Sequence, residues 1–151
     1  MKKIMILVCL YLTVLMGHVV FLDSDAHGDS LMKKYVRLYT GSDGKTHFED
    51  IEVKYNRDVL LGDVVIARQS DPIVCGQAFF ITGNRDGDWH CAPRRQFLFF
   101  LEGEMEMEVE DGSIRRFLPG DVLLVEDISG RGHLSRTRGW SAFVVPIEKE
   151  D

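Results

Sequence analysis

The chain has 151 residues, of which 45% are hydrophobic and 28% charged, and its formal net charge at pH 7 is −6. This length supplies one domain with a substantial core but not two, and the composition is that of a globular protein rather than a disordered one. The negative charge argues against a nucleic-acid partner, because a phosphate backbone attracts basic surfaces.

The N-terminus carries a hydrophobic segment. Lys2 and Lys3 precede an almost uniformly apolar stretch at residues 4–22, and polar, turn-prone residues follow. This pattern is typical of a secretory signal peptide and predicts an exported protein, secreted or periplasmic. The alternative is a membrane anchor, because the stretch approaches the roughly 20 residues that span a bilayer. In that case the chain contacts a membrane only through this stretch. We therefore assign residues 1–26 to a signal peptide or membrane anchor and residues 27–33 to a linker or arm.

Two of the three cysteines, Cys75 and Cys91, remain after such a cleavage. In an exported protein an even pair permits one disulfide, and the alternative is two separate thiols. Their spacing is not the Cys-x-x-Cys of a zinc or redox site.

From residue 34 onward, short segments with strand patterns alternate with turns. The predicted strands are at residues 35–39, 47–55, 64–67, 77–82, 96–101, 104–110, 114–118, 122–125 and 140–147. Turn signals such as Asp111-Gly112 and Pro119-Gly120 separate them. Many short strands at about ten-residue spacing predict an all-β sandwich or barrel over residues 34–147, followed by an acidic tail at 148–151.

The two central segments differ in pattern. Residues 96–101 are apolar on both sides, as in a strand that is covered on both faces. In the next segment Met105, Met107 and Val109 alternate with glutamates, which places the apolar residues in the core. We interpret the glutamate face as solvated rather than as a cation site, because every second residue of a surface strand faces water.

Two polar clusters stand out, one around His90 and one around His133. In the first, DWHCAPRRQFLFFLEG, His90 is followed by Ala92, Gln96 and Gly103 at fixed intervals. These intervals resemble the first motif of the cupin superfamily, G-x5-H-x-H-x(3,4)-E-x6-G. Ala92 then stands at the second histidine position and Gln96 at the glutamate position, whereas His90 and Gly103 match the motif.

The second cluster, PGDVLLVEDISGRGHLS, resembles the second cupin motif, G-x5-P-x-G-x2-H-x3-N. Gly120 opens it, Glu126 replaces the proline, and Gly130 and His133 fit after a two-residue expansion, with Thr137 at the asparagine position. The resemblance covers most of residues 34–147. It implies a single jelly-roll β-barrel with a ligand or metal held inside.

The resemblance also implies which residues form the site. Metal-binding cupins typically supply three histidines and a glutamate, and here the candidates are His90, Gln96 and His133. Two imidazoles and an amide make a weaker metal site than three imidazoles and a carboxylate. Two alternatives for the cofactor stay open: one divalent transition metal (Fe, Mn, Ni or Zn), or no cofactor at all. A purely structural role for the two histidines also stays open.

Three neighbouring residues are candidates for ligand binding. Arg94 and Arg95 offer guanidinium groups that bind carboxylate or phosphate, and the alternative is pairing with an acid such as Glu126 or Asp127. Trp89 is suited either to a pocket wall or to ordinary core packing.

The function we predict is binding of a small organic ligand, with an anion favoured by the arginines, near His90, Gln96 and His133. Whether catalysis occurs stays open. One alternative is a metal-dependent oxygenase or isomerase, and another is a metal-free acid–base enzyme with His90 or His133 as the catalytic residue. His47 is a further candidate histidine. We expect a homodimer, because cupins often dimerise through strand faces and residues 96–101 are apolar on both sides.

Overall fold

The computed structural model describes residues 34–148, which form ten strands and no helix. The strands are β1 (Lys34–Thr40), β2 (Thr46–Glu52), β3 (Arg57–Leu61), β4 (Val64–Gln69), β5 (Phe79–Gly83), β6 (Gly87–His90), β7 (Gln96–Glu108), β8 (Ile114–Phe117), β9 (Val122–Glu126) and β10 (His133–Pro146). The all-β prediction is confirmed. The predicted signal or anchor, the linker at 27–33 and residues 149–151 of the predicted tail lie outside the described range.

Eight of the strands form one sheet, in the order β2-β1-β9-β7-β10-β5, with β8 beside β7 and β6 beside β10. β1 and β9 run parallel, and the other neighbours run antiparallel. β3 and β4 form a separate hairpin. Across residues 34–148 there is no helix of the length and apolar character that a membrane crossing requires.

The long strands β7 and β10 pair along almost their whole length, and each has two partners on its other edge. The first part of β7 pairs with β9 and its last part with β8. The first part of β10 pairs with β6 and its last part with β5. The sheet therefore has two halves, which only these two strands connect within the described range.

The halves join at two β-bulges, where Leu101 of β7 and Arg138 of β10 are the extra residues in the register. A bulge switches the alternation of the side chains. Leu98 therefore faces the core before the bulge, and Met105 faces it afterwards. Gly103 is required here, because its φ is 71° and a Cβ would stand 1.9 Å from the carbonyl oxygen of Gly139.

Both halves contribute to one core. Its largest buried side chains include Leu38, Phe100, Met107, Phe117 and Leu123. The predicted burial of Met105, Met107 and Val109 is confirmed. The alternating glutamates point away from the core but are only half-exposed, because they form ion pairs with arginines: Glu104 with Arg116, and Glu106 and Glu108 with Arg136.

Four strands exceed or escape the sequence prediction. β3 occupies Arg57–Leu61, between two predicted segments, where no strand was predicted. β7 is one strand where two were predicted, because Gly103 accommodates a bulge and does not end the strand. β10 begins at His133, well before the predicted segment, and β6, at Gly87–His90, lies where no strand was predicted. The inward-facing residues at the start of β10, His133 and Ser135, are polar, so the hydrophobic alternation that marks a half-buried strand is missing there.

The buried methionine face provides a test of this register. Met107 is 3% exposed, so Met107→Asp should lower the free energy of unfolding by about 3 kcal/mol or more, through an unpaired buried charge. The neighbouring change Glu106→Gln removes only one half-exposed ion pair and should cost about 0.5 kcal/mol or less. Urea unfolding followed by circular dichroism compares the two, and equal losses would contradict the register.

Candidate functional site

Pairing between β6 and β10 sets His90 directly opposite His133. Their ring centroids lie 4.5 Å apart, although 43 residues separate them in the chain. Gly132 permits this approach: its φ is 81°, and a Cβ there would stand 2.0 Å from the carbonyl oxygen of His90. The glycine before the second histidine is therefore a requirement of the site and not only of a turn.

Both imidazoles are held through Nδ1. Nδ1 of His90 donates to the carbonyl oxygen of Asp88 at 2.6 Å, and Nδ1 of His133 lies 2.6 Å from Oδ2 of Asp127. A proton on Nδ1 satisfies each contact. The neutral rings then keep Nε2 as a hydrogen-bond acceptor.

Asp127 is the site residue that the sequence did not reveal. Its side chain is fully buried, His133 is 5% exposed, and the other carboxylate oxygen, Oδ1, has no hydrogen-bond partner within residues 34–148. A half-satisfied buried carboxylate is costly, and such groups tend to mark functional positions. In the sequence Asp127 suggested only a partner for an arginine. The sequence feature that could have predicted the Asp127–His133 contact is the turn-forming Ser-Gly-Arg-Gly between these two residues, because a turn there brings their side chains together.

The two histidines open on a cavity of about 250 Å³. Its polar lining residues are His90, Arg94, Gln96, His133 and Ser135. All others are apolar or aromatic, among them Ile81 of β5, Met107 of β7 and Trp140 of β10. The structure therefore brings together His90, Gln96 and His133 from three different strands, with one of the two candidate arginines.

Arg95 and Trp89 do not line this cavity. Nε of Arg95 donates to Oε1 of Glu126 at 2.6 Å, and Arg37 binds the other oxygen of the same buried carboxylate. The alternative prediction, that one arginine pairs with Glu126 or Asp127, is thus confirmed for Arg95. Trp89 instead stacks against Arg131, whose guanidinium carbon lies 4.0 Å from the ring centroid.

His47 also lies apart from the cavity. Its ring sits between Asp43 and Asp111, with nitrogen-to-oxygen distances of 3.1 Å to both. Hydrogen bonds to Asp43 and then to Asp111 raise the pKa of His47 above its ordinary value of 6.5. The pKa of Asp43 is lowered first by a hydrogen bond from the backbone of Lys45, and the pKa of Asp111 first by hydrogen bonds from Ser113; the contact with His47 adds to both effects. This histidine is part of a surface charge cluster.

Cys75 and Cys91 are free thiols that do not bond to each other. Cys91 donates to the carbonyl oxygen of Gly130 at 3.3 Å. Burial raises its pKa, and the nearby charges of Asp127 and Glu110 add to the effect. The thiol is therefore neutral at physiological pH and a poor nucleophile, since only the thiolate is reactive.

The donor set for a metal is limited. His90 and His133 present Nε2, and Gln96 offers an uncharged amide oxygen. Between residues 34 and 148 no three histidine, cysteine, aspartate or glutamate residues are grouped so that they could hold a metal ion. Two imidazoles without a carboxylate bind first-row metals more weakly than the usual three or four charged or imidazole ligands.

No protein-family model matches the chain, and no curated protein matches it. Among solved structures, protein NMB1881 from Neisseria meningitidis is similar, with 19% identity over 52% of this chain and 85% of that protein, and a TM-score of 0.41. At this level of similarity, no function is inferred from the match.

The His47 cluster generates a pH prediction. A histidine whose pKa is raised by folding stabilises the folded state below its unfolded pKa, and this contribution disappears as the pH rises through the folded pKa. His47→Gln should therefore reduce stability at about pH 5, where both aspartates are still ionised, and have little effect at about pH 9. Urea unfolding of both proteins at the two pH values measures this. A larger loss at the higher pH would contradict the assignment.

Proposed function

We propose that this protein binds a small organic anion in the cavity lined by His90, Gln96 and His133. The observation that carries the proposal is the convergence of these polar groups, from three strands, on an otherwise apolar cavity. Small-molecule sites typically combine apolar walls with a few polar groups that fix the orientation of the ligand. The Nδ1 contacts of both histidines favour a fixed ring orientation, so the site is organised before a ligand arrives.

The anionic character of the ligand follows from Arg94. This residue lines the cavity and forms no ion pair within residues 34–148, whereas the adjacent Arg95 is neutralised by Glu126. A guanidinium group at the edge of an apolar cavity binds a carboxylate through two parallel hydrogen bonds. We expect the apolar body of the ligand to lie against Met107 and Trp140, with its anionic group towards Arg94.

Binding of benzoate and of its neutral analogue benzamide tests the proposal. The measurements are isothermal titration and tryptophan fluorescence, to which Trp140 of the cavity contributes. Arg94→Gln should weaken benzoate binding by about tenfold and leave benzamide binding nearly unchanged, because it removes one charge-assisted contact. Arg85→Gln is the matched control, since Arg85 does not line the cavity. The proposal fails if neither compound binds, or if both arginine changes have the same effect.

A second candidate function is metal-free acid–base catalysis on the bound anion. The specific observation that favours it is the buried Asp127–His133 pair. A carboxylate on Nδ1 keeps Nε2 free to accept a proton and stabilises the imidazolium that forms. His133 is then the catalytic base, with Nε2 towards the cavity, and Asp127 is a positioning residue.

Deuterium uptake into the methyl group of pyruvate in D2O, followed by proton NMR, tests this second candidate. The full chain should accelerate the exchange, His133→Ala should abolish the acceleration, and Asp127→Asn should lower it at least about tenfold by removing the charge that stabilises the imidazolium. His47→Gln, which alters a histidine away from the cavity, should leave it unchanged. No acceleration by the full chain would exclude proton abstraction from this substrate while leaving the binding proposal in place.

The metal-dependent alternative is a weaker proposal for the same residues. His90, Gln96 and His133 would hold a divalent Fe, Mn, Ni or Zn ion, which would polarise a bound substrate when present. Elemental analysis of the purified protein distinguishes this from the metal-free site.

We further infer a jelly-roll barrel of the cupin type and export of the chain. In support of the first, His90 and His133 come from the two motif-like clusters and pair across adjacent strands, and Gly103 occupies a position that only glycine accepts. Export rests on Lys2, Lys3 and the apolar stretch at 4–22 alone. N-terminal sequencing of the mature protein tests it, because an intact N-terminus in a membrane fraction would indicate the anchor instead.

A further inference from the structure

The β3–β4 hairpin carries a concentration of exposed apolar side chains. Five of its residues are each between 50% and 70% exposed: Leu60, Leu61, Val64, Val65 and Ile66. Within residues 34–148 the two strands pair only with each other, and the residues on both faces of the hairpin are almost all exposed, so the main sheet covers neither face. An isolated two-stranded hairpin is marginally stable in water, and exposed apolar patches of this kind mark interaction sites.

An apolar groove lies at the base of the same hairpin, on the outer face of the main sheet. Its volume is about 470 Å³, and Phe97, Phe99, Val122 and Val145 line its sheet side. Residues just before and just after the hairpin, including Val53 and Ile73, line the rest. No residue at positions 57–69 is among its lining residues, so the hairpin leaves its own groove open.

We propose that this surface joins two copies of the chain, with the hairpin of each copy seated in the groove of the other. A projection and a matching recess on one chain satisfy the symmetry of a two-fold dimer, in which the same two patches meet twice. Exchange of the hairpins covers both apolar surfaces in one step. The site proposed above lies on the other side of β7, because Leu98 lines the cavity whereas Phe97 and Phe99 line the groove.

Area and charge favour a second copy as the occupant. Each of the five hairpin side chains, and the neighbouring Ile73 and Val74, exposes on the order of 50–100 Å² of apolar surface, which together with the groove approaches the roughly 800 Å² per partner of a stable interface. The hairpin carries Arg57, Asp58, Asp63 and Arg68 and is therefore neutral. On a chain with a net charge of −6, a neutral apolar surface is where two identical molecules meet with least repulsion.

Sedimentation equilibrium of the full chain and two variants tests the interface. Leu61 is 70% exposed on the hairpin, and Ile114 is 53% exposed on β8, outside this surface. Leu61→Asp should weaken dimerisation on the order of 100-fold, because a symmetric dimer contains the substitution twice at the centre of the apolar contact. Ile114→Asp should leave it unchanged, and both variants should keep the circular dichroism of the wild type.

Chemical cross-linking provides a second measurement that does not depend on weakening the dimer. Cys75 lines the groove and is a free, exposed thiol. A short bismaleimide should therefore join Leu61→Cys of one copy to Cys75 of the other and yield a covalent dimer on a reducing gel. Ile114→Cys in the same background controls for reaction at other thiols.

The proposal is overturned if the wild-type chain sediments as a monomer, as it would if its own N-terminal segment or an unrelated partner filled the groove. It is also overturned if Leu61→Asp dimerises as tightly as the wild type, or if Leu61→Cys and Ile114→Cys cross-link equally. Because the cavity lies on the opposite face of β7, loss of the dimer should leave benzoate binding intact. Failure of this proposal is therefore distinguishable from failure of the proposed function.

Discussion

The pairing of β7 with β10 is the constraint on which the rest of the structure depends. Within residues 34–148 these two strands alone extend through both halves of the sheet, and every other strand of the sheet is attached to one of their edges directly or through a neighbour. Their bulges at Leu101 and Arg138 switch the side-chain alternation, so both halves direct apolar residues into one core. The close contact between Gly103 and Gly139 leaves no space for a side chain at this junction.

The cavity is a consequence of this geometry. The first part of β10 supplies His133 and Ser135, its last part supplies Val144, and β7 contributes Leu98 before the bulge and Met107 after it. A sheet without the bulges would direct one of these sets to the outside. The buried Asp127 gives the otherwise apolar site a fixed hydrogen-bond acceptor for His133. The charge of the buried Glu126 nearby is balanced by Arg37 and Arg95. This distribution of charge leaves Arg94 as the cation at the cavity.

The outer face of the same sheet has a different character. Phe97, Phe99 and Val122 form an apolar surface there, and the adjoining hairpin exposes further apolar residues. The two faces of β7 thus have separate roles, one enclosing the cavity and the other forming the groove. The double-sided hydrophobicity of residues 96–101 has its physical explanation in this arrangement, since the inner side packs in the core and the outer side lines the groove.

The sequence by itself determined the strand class, most strand positions and the burial of Met105, Met107 and Val109, because turn residues and two-residue alternation are local properties. It also singled out His90, Gln96 and His133, through spacing that resembles a known family. Tertiary structure decided the rest. Three features depend on strands that are distant in sequence. These are the choice of the arginine that pairs with Glu126, the polar first part of β10, and the contact between Asp127 and His133. Local patterns carry no record of such pairing, because bulges and close glycine contacts set the register only once the strands have met.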